Sequence, residues 1–253
     1  MIRTIIIGLL LLISILTSQV NTEGMRSEDN RDGFKNQFNL DLGFEKANSE
    51  VLELATKYRL DYNMQDNFHS FMIINFNSGY EKEDNFKNII TKKGFIHLRT
   101  TKNILKNYQM EVFTQYEFNE FLLLIDRYLL GAGLRIGFNN NKLSTTYLGI
   151  GLMVEKETYN LDLENEKNLL RSTNYIKNNI ALNSTIDLSN TCYFQIASED
   201  LNDYRILYDG SLDFHVNDYF AITIEFNYRY DNDPQGDLGN SYIQISNGVS
   251  FNF

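Results

Sequence analysis

The chain is written in a two-residue rhythm. From Phe220 to Tyr230 the even positions, Phe220, Ile222, Ile224, Phe226, Tyr228 and Tyr230, are apolar or aromatic. The odd positions, Ala221, Thr223, Glu225, Asn227 and Arg229, are small or polar. Such alternation sorts side chains onto the two faces of a β-strand, and a helix cannot follow it. The pattern returns after the turn-forming run Asp231-Asn232-Asp233-Pro234-Gln235-Gly236. There Ile243, Ile245, Val249, Phe251 and Phe253 share one face, and Gln244, Ser246, Gly248 and Ser250 share the other.

The same rhythm predicts strands over Phe34–Glu45, Val51–Tyr62, Phe68–Tyr80, Phe95–Thr101, Tyr108–Asn119, Phe121–Phe138, Leu143–Lys156, Leu169–Ser184, Thr191–Ala197 and Tyr204–Phe214. Leu169–Ser184 fits least well, because Asn174 and Asn178 fall among its apolar positions. In Phe121–Phe138, Asp126 interrupts the apolar face unless the strand has left the bilayer there. The connections alternate in character. One set, Asn63–Asn67, Lys102–Asn107, Asn139–Lys142, Ile186–Asn190 and His215–Asp218, reads as short turns. The other includes Glu81–Asn88, Glu157–Asn168, Ser198–Asp203 and Asp231–Asp237, which are mostly longer and acidic; Lys46–Glu50 and Asn119-Glu120 are tight. About 12 antiparallel strands in up-and-down order, closed into one barrel, are the fold these signals predict.

Alternation alone leaves open which face is inside. A lipocalin-like soluble barrel turns its apolar face inward, and a transmembrane barrel turns it outward. Three features favour the membrane. Aromatic residues edge the apolar faces, as Tyr228, Tyr230 and Phe220 do on one strand and Tyr108, Tyr116 and Phe118 on another. The polar faces carry complementary charges, with Glu225 near Arg229 and Glu111 within reach of Arg127 or Arg135, which suits an enclosed polar lumen. Gly131, Gly133, Gly137, Gly149 and Gly151 fall on the polar face, where they leave room for bulky neighbours.

Composition narrows the picture. The single proline, Pro234, lies in an expected loop, as closed ladders require. The single cysteine, Cys192, excludes an internal disulfide and a cysteine-cluster metal site. Residues 1–19 have the form of a signal peptide: Arg3, the apolar run Ile5–Leu16, then Thr17-Ser18-Gln19. Its removal takes the charge from −10 to −11, with 22 basic residues against 33 acidic ones. That balance argues against a nucleic-acid partner, which needs a basic footprint. Residues 20–32 form a polar segment expected to be disordered, and residues 33–253 form the barrel domain.

Little in the chain supports catalysis. A barrel lipid hydrolase needs a serine and a histidine on the lipid-facing side of adjacent strands. His97 falls on the polar face, His69 and Ser70 point to opposite sides, and His215 lies in an expected turn. No metal or other cofactor is expected, and Asp231-Asn232-Asp233 reads as a solvated turn. The informative residues are those of the polar face: Arg99, Glu111, Gln115, Arg127, Arg135, Arg171, Arg205, Glu225 and Arg229 as candidates to line a lumen. An arginine row draws anions into a channel if the lumen is open. If these arginines pair with Glu111, Asp209, Asp213 and Glu225, they fill it instead.

The runs Phe95-Ile96-His97-Leu98-Arg99, Gln115-Tyr116-Glu117-Phe118-Asn119 and Arg127 to Arg135, with the spacing of Gln115, Arg127, Gly131, Gly133 and Arg135, resemble the salt-induced outer-membrane protein family, also called domain of unknown function 481. The segment Arg171–Tyr175 is similar to a later family stretch. The resemblance implies a barrel in the outer membrane of a Gram-negative bacterium, in contact with outer-membrane lipid. It carries over no biochemical activity. Phe253 resembles the terminal aromatic residue of such barrels, expected to serve the barrel-assembly machinery. Two functional readings remain open, a small-solute channel and a non-conducting barrel with a structural or surface-interaction role; a soluble exported binding protein is the third.

Overall fold

The structure is a computed structural model that describes residues 23, 26, 32–46, 50–64, 67–83, 86–140, 143–161, 166–217, 220–235 and 239–251. The expected signal segment, residues 1–19, and Phe253 lie outside the described residues. The strands are β1 (Gly33–Lys46), β2 (Glu50–Met64), β3 (Phe68–Glu83), β4 (Phe86–Leu105), β5 (Tyr108–Asn119), β6 (Leu124–Asn140), β7 (Ser144–Tyr159), β8 (Glu166–Ala181), β9 (Ile186–Ala197), β10 (Tyr204–Asn217), β11 (Phe220–Asp231) and β12 (Ser241–Phe251). They form one antiparallel sheet in chain order, each strand paired with its sequence neighbours. Among the described residues the ladders run from β1–β2 to β11–β12.

Several strands exceed their expected bounds. About 9–11 residues cross a bilayer, whereas β4 has 20; β6, expected from Phe121, starts only at Leu124, after a 3-10 turn at Glu120–Leu122. The added residues of β4 mix Lys87, Asn88, Lys92 and Lys93 with Ile89, Ile90, Ile104 and Leu105, so the alternation blurs while the ladder of backbone hydrogen bonds continues. Most of Glu81–Asn88 is therefore strand, not loop. The expected turn Ile186–Asn190 opens β9, and the chain turns at residues 182–185. His215 lies in β10, bonded to Asp187 at 2.8 Å, rather than in a turn. β7 continues through Glu157 to Tyr159, leaving residues 160–165 as the connection to β8. The Asp126 interruption is absorbed by a register shift between Leu124 and Asp126, where Asp126 accepts a hydrogen bond from Thr158 at 2.9 Å. Asn174 and Asn178 are likewise satisfied on β8, donating to Ser172 and Thr146, both at 2.7 Å.

The apolar face points outward. In β7, Ile150, Leu152 and Val154 are exposed, while Met153, Glu155 and Glu157 between them are buried. In β5, Met110 and Val112 are exposed, while Glu111, Phe113, Gln115 and Glu117 are buried. A water-soluble barrel would bury the first set; here the apolar rows form an exposed band far larger than a monomer in water tolerates. Aromatic pairs mark both edges of this band. Phe34 and Tyr62 sit 4.6 Å apart at one end, and Tyr116 and Tyr128 sit 4.8 Å apart at the other.

The inner face is polar but closely packed. A methyl group added at Gly131 would lie 2.3 Å from the Phe113 ring, and one at Gly149 would lie 2.0 Å from the Tyr175 ring. The glycines thus make room for large inward residues of the adjacent strands.

Leu152→Arg is expected to destabilise the refolded protein by about 2–4 kcal/mol, the cost of a cation on the lipid face of a barrel. Denaturant titration in lipid vesicles measures it. A change within about 0.5 kcal/mol, as at an ordinary wet surface, would show that this face does not meet lipid.

Candidate functional site

The inner-face charges gather in two layers. The first lies at the end of the sheet that carries the β5–β6, β7–β8, β9–β10 and β11–β12 connections. Register builds it: Arg127 on β6 faces Glu117 on β5 and Glu157 on β7. Arg127 donates to Glu117 at 2.6 Å, pairs with Glu155 at 3.1 Å and also binds Glu157. Arg171 on β8 donates to Glu155 at 2.9 Å and grips Asp203 through two nitrogens, at 2.8 and 3.1 Å. Arg205 on β10 faces Asp231 on β11 and donates to it at 2.9 Å. It also reaches Glu155 at 3.3 Å and Glu157 at 3.1 Å on β7, spanning β8 and β9. Contacts that skip two strands require the sheet to curl around them.

All three arginines are at most 1% exposed. A buried guanidinium is costly unless its donors meet carboxylates in good geometry. Here Glu155 and Glu157 are each shared between arginines, so the layer acts as one network.

The second layer lies toward the opposite end. Glu111 on β5 receives the Tyr175 hydroxyl at 2.7 Å and lies 3.7 Å from Arg99. Arg26, from the N-terminal segment, donates to Glu111 at 2.5 Å and to Thr101 at 3.0 Å. It also approaches His69 Nδ1 at 3.2 Å, while His69 Nε2 lies 3.0 Å from Asp61. A guanidinium can only donate, so Nδ1 accepts and Nε2 carries the proton toward Asp61. Glu23 is fully buried, with Arg99 donating to its carboxylate at 3.1 Å and Arg135 at 3.2 Å.

Between the layers is a chamber of about 40 Å³, whose lining includes His97, Phe113, Gln115, Met153, Thr173 and Gln195. That volume suits one or a few waters rather than an organic solute. His97 Nδ1 lies 3.1 Å from Gln115 Oε1, and Gln115 in turn donates to Glu117. Among the described residues no group of three or more His, Cys, Asp or Glu side chains could hold a metal ion.

The expected residues are thus distributed unevenly. Arg127, Arg171 and Arg205 belong to the first layer, Arg99, Glu111 and Arg135 to the second, and Gln115 to the chamber between them. Glu111 pairs with Arg26 and Arg99, not with Arg127 or Arg135, because Arg127 is held by its register neighbours. Arg229 pairs with Asp209 at 2.5 Å, one strand away on β10. Glu225 is more exposed than the others. Sequence reasoning missed Glu155 and Glu157 as network centres and missed Glu23 and Arg26 entirely. The expected disorder of residues 20–32 fails at these two positions, which are tied to the inner face by five basic or acidic side chains.

An antiparallel sheet in chain order, curled around a polar interior with its apolar face outward, has the fold of the outer-membrane β-barrel class. The chain belongs to the family described as protein of unknown function, DUF481, which matches residues 40–253. Among solved structures it is similar to the NanC porin, at 13% identity and a TM-score of 0.53 over 85% of this chain and 100% of that chain. It is also similar to the translocator domain of the autotransporter NalP from Neisseria meningitidis, at 11% identity and a TM-score of 0.51 over 92% of each chain. These likenesses concern the fold. No curated protein matches the chain.

Glu157→Ala leaves Arg127 and Arg205 short of a shared carboxylate. It is expected to cost about 3–5 kcal/mol, as breaking a buried ion pair does. Equilibrium unfolding of the refolded protein measures this. A loss below about 1 kcal/mol, typical of an exposed pair, would mean that the layer is open to water.

Proposed function

We propose that the chain is an integral outer-membrane β-barrel, closed by β12 against β1, whose resting interior is filled by paired charges and does not pass solutes freely. The carrying observation is the first layer: Arg127, Arg171 and Arg205 are buried and are neutralised by Glu117, Glu155, Glu157, Asp203 and Asp231. An arginine row that attracts mobile anions would have to present unneutralised charge to an open lumen. Closure is supported by the curvature that lets Arg205 on β10 reach Glu155 and Glu157 on β7. The outward apolar band argues for lipid around it. Export through residues 1–19, folding by the barrel-assembly machinery and a periplasmic N-terminus complete this reading. Its role is then structural or at the cell surface, carried by the connections at the first-layer end.

The second reading is a small-solute channel. It draws on the chamber between the layers, which would become part of a continuous path if either layer parted.

Single-channel recording of refolded residues 20–253 in a planar bilayer separates the two. The filled-lumen reading expects insertion without discrete conductance steps. Discrete steps with anion preference, shifted toward cations by Arg127→Glu with Arg135→Glu, would replace it with the channel.

A further inference from the structure

The second layer contains a ligand that does not belong to the sheet. Glu23 precedes β1 by ten residues, yet its side chain is fully buried against β4, β6, β8 and β9. Every polar group of the residue is engaged. The carboxylate takes Arg99 Nη1 at 3.1 Å on one oxygen and Arg135 Nη2 at 3.1 Å on the other. Arg26 Nε bridges both oxygens, at 3.0 and 3.1 Å. The main-chain N–H donates to the Tyr193 hydroxyl at 3.2 Å, and the carbonyl accepts from Lys177 at 3.5 Å.

The sheet side of this arrangement is rich in cations: its described residues around Glu23 include Arg99, Arg135 and Lys177, and its Glu111 is itself held by Tyr175, Thr101 and Arg26. Two guanidinium groups from strands two apart converge on one carboxylate, Arg99 through Nη1 on one oxygen and Arg135 through Nε and Nη2 on the other, and such charge-assisted contacts make a carboxylate receptor. Tyr193 and Lys177 hold the main-chain N–H and carbonyl of the same residue, so a ligand with polar groups near its carboxylate has partners for them too.

We infer that Arg99, Arg135, Lys177 and Tyr193 form a carboxylate-binding site inside the barrel, and that Glu23 occupies it as a tethered ligand. Small organic acids that reach the interior compete with Glu23 for the site. This rests on the reading that the inner face encloses a lumen, but not on whether that lumen conducts.

Chemical rescue tests it. The atoms removed by Glu23→Ala amount to a bound acetate. Refolded residues 20–253 carrying E23A are expected to melt below the wild type in chloride. Acetate should raise the melting temperature by about 3 °C at tenfold its dissociation constant, from mass action alone. Acetamide, of the same shape but neutral, should do nothing. The wild type, its site already filled, should not respond to acetate, and E23A with Arg135→Gln should lose the response. Should E23A fold in neither salt, E23Q carries the test, and a smaller shift of the same sign is expected because acetate must displace an amide. No acetate shift in the variant that folds, or an equal shift in the wild type, overturns the site. A barrel that stays electrically silent while acetate has no effect loses the site and keeps the filled lumen. A conducting barrel with full acetate rescue does the reverse.

Discussion

A guanidinium removed from water must have carboxylates within reach, and much of this molecule is arranged to meet that demand. Arg127, Arg171 and Arg205 cannot be satisfied by their own strands. Arg205 needs Glu155 and Glu157, which lie three strands away on β7. A flat sheet would hold β7 and β10 about 14 Å apart at the usual strand spacing. The ion pairs therefore exist only if the sheet is strongly curved, and the curvature in turn is what turns the apolar rows outward. The network is better regarded as fixing shape than as adding stability, since well-packed apolar residues would often do as well energetically.

Curvature also needs room on the concave side. Phe113 lies over Gly131, and Tyr175 lies over Gly149, each glycine occupying the neighbouring strand at the level of the ring. The rings then serve the charges. Arg99 stacks 4.9 Å from the Phe113 centroid, and the Tyr175 hydroxyl binds Glu111. Small residues, rings and ions thus form one chain of dependence: without the glycines the rings tilt away, and without the rings Arg99 and Glu111 lose the walls that orient them.

The outer rows were legible from the sequence because lipid imposes a strict period on them. Tyr108–Asn119 is bounded in the structure as its alternation predicts. Legibility fails where lipid stops. Glu157 follows Glu155 and Lys156 in a run of charges that looks like a loop, yet the ladder with β8 continues and carries Glu157 inward. Period-two reasoning sees the membrane-facing row, not the hydrogen-bonded strand beyond it. Arg127, Arg171 and Arg205 could be assigned to the inner face from parity alone, but their partners could not, because pairing across β7 and β10 depends on curvature that no local pattern encodes. Glu225 was assigned by the same parity and sits apart from both layers. Glu23 and Arg26 carry no periodic signal at all, and a short polar segment looks the same in sequence whether it is solvated or buried.

The two layers differ in where their ionic partners come from. The first is assembled from β5 to β11 and their connections, and there the acids outnumber the arginines: Glu117, Glu155, Glu157, Asp203 and Asp231 against three, with Lys167 bridging Asp203 and Asp233 at the rim. It is complete as soon as the strands pair. The second draws on the N-terminal segment as well: Arg99 meets the sheet carboxylate Glu111, while Arg99 and Arg135 both bind Glu23. Glu23 and Arg26 bring one charge of each sign, so what these two residues add is partners and not net charge. One layer is therefore built by the strands and their connections, and the other in part by residues that precede β1.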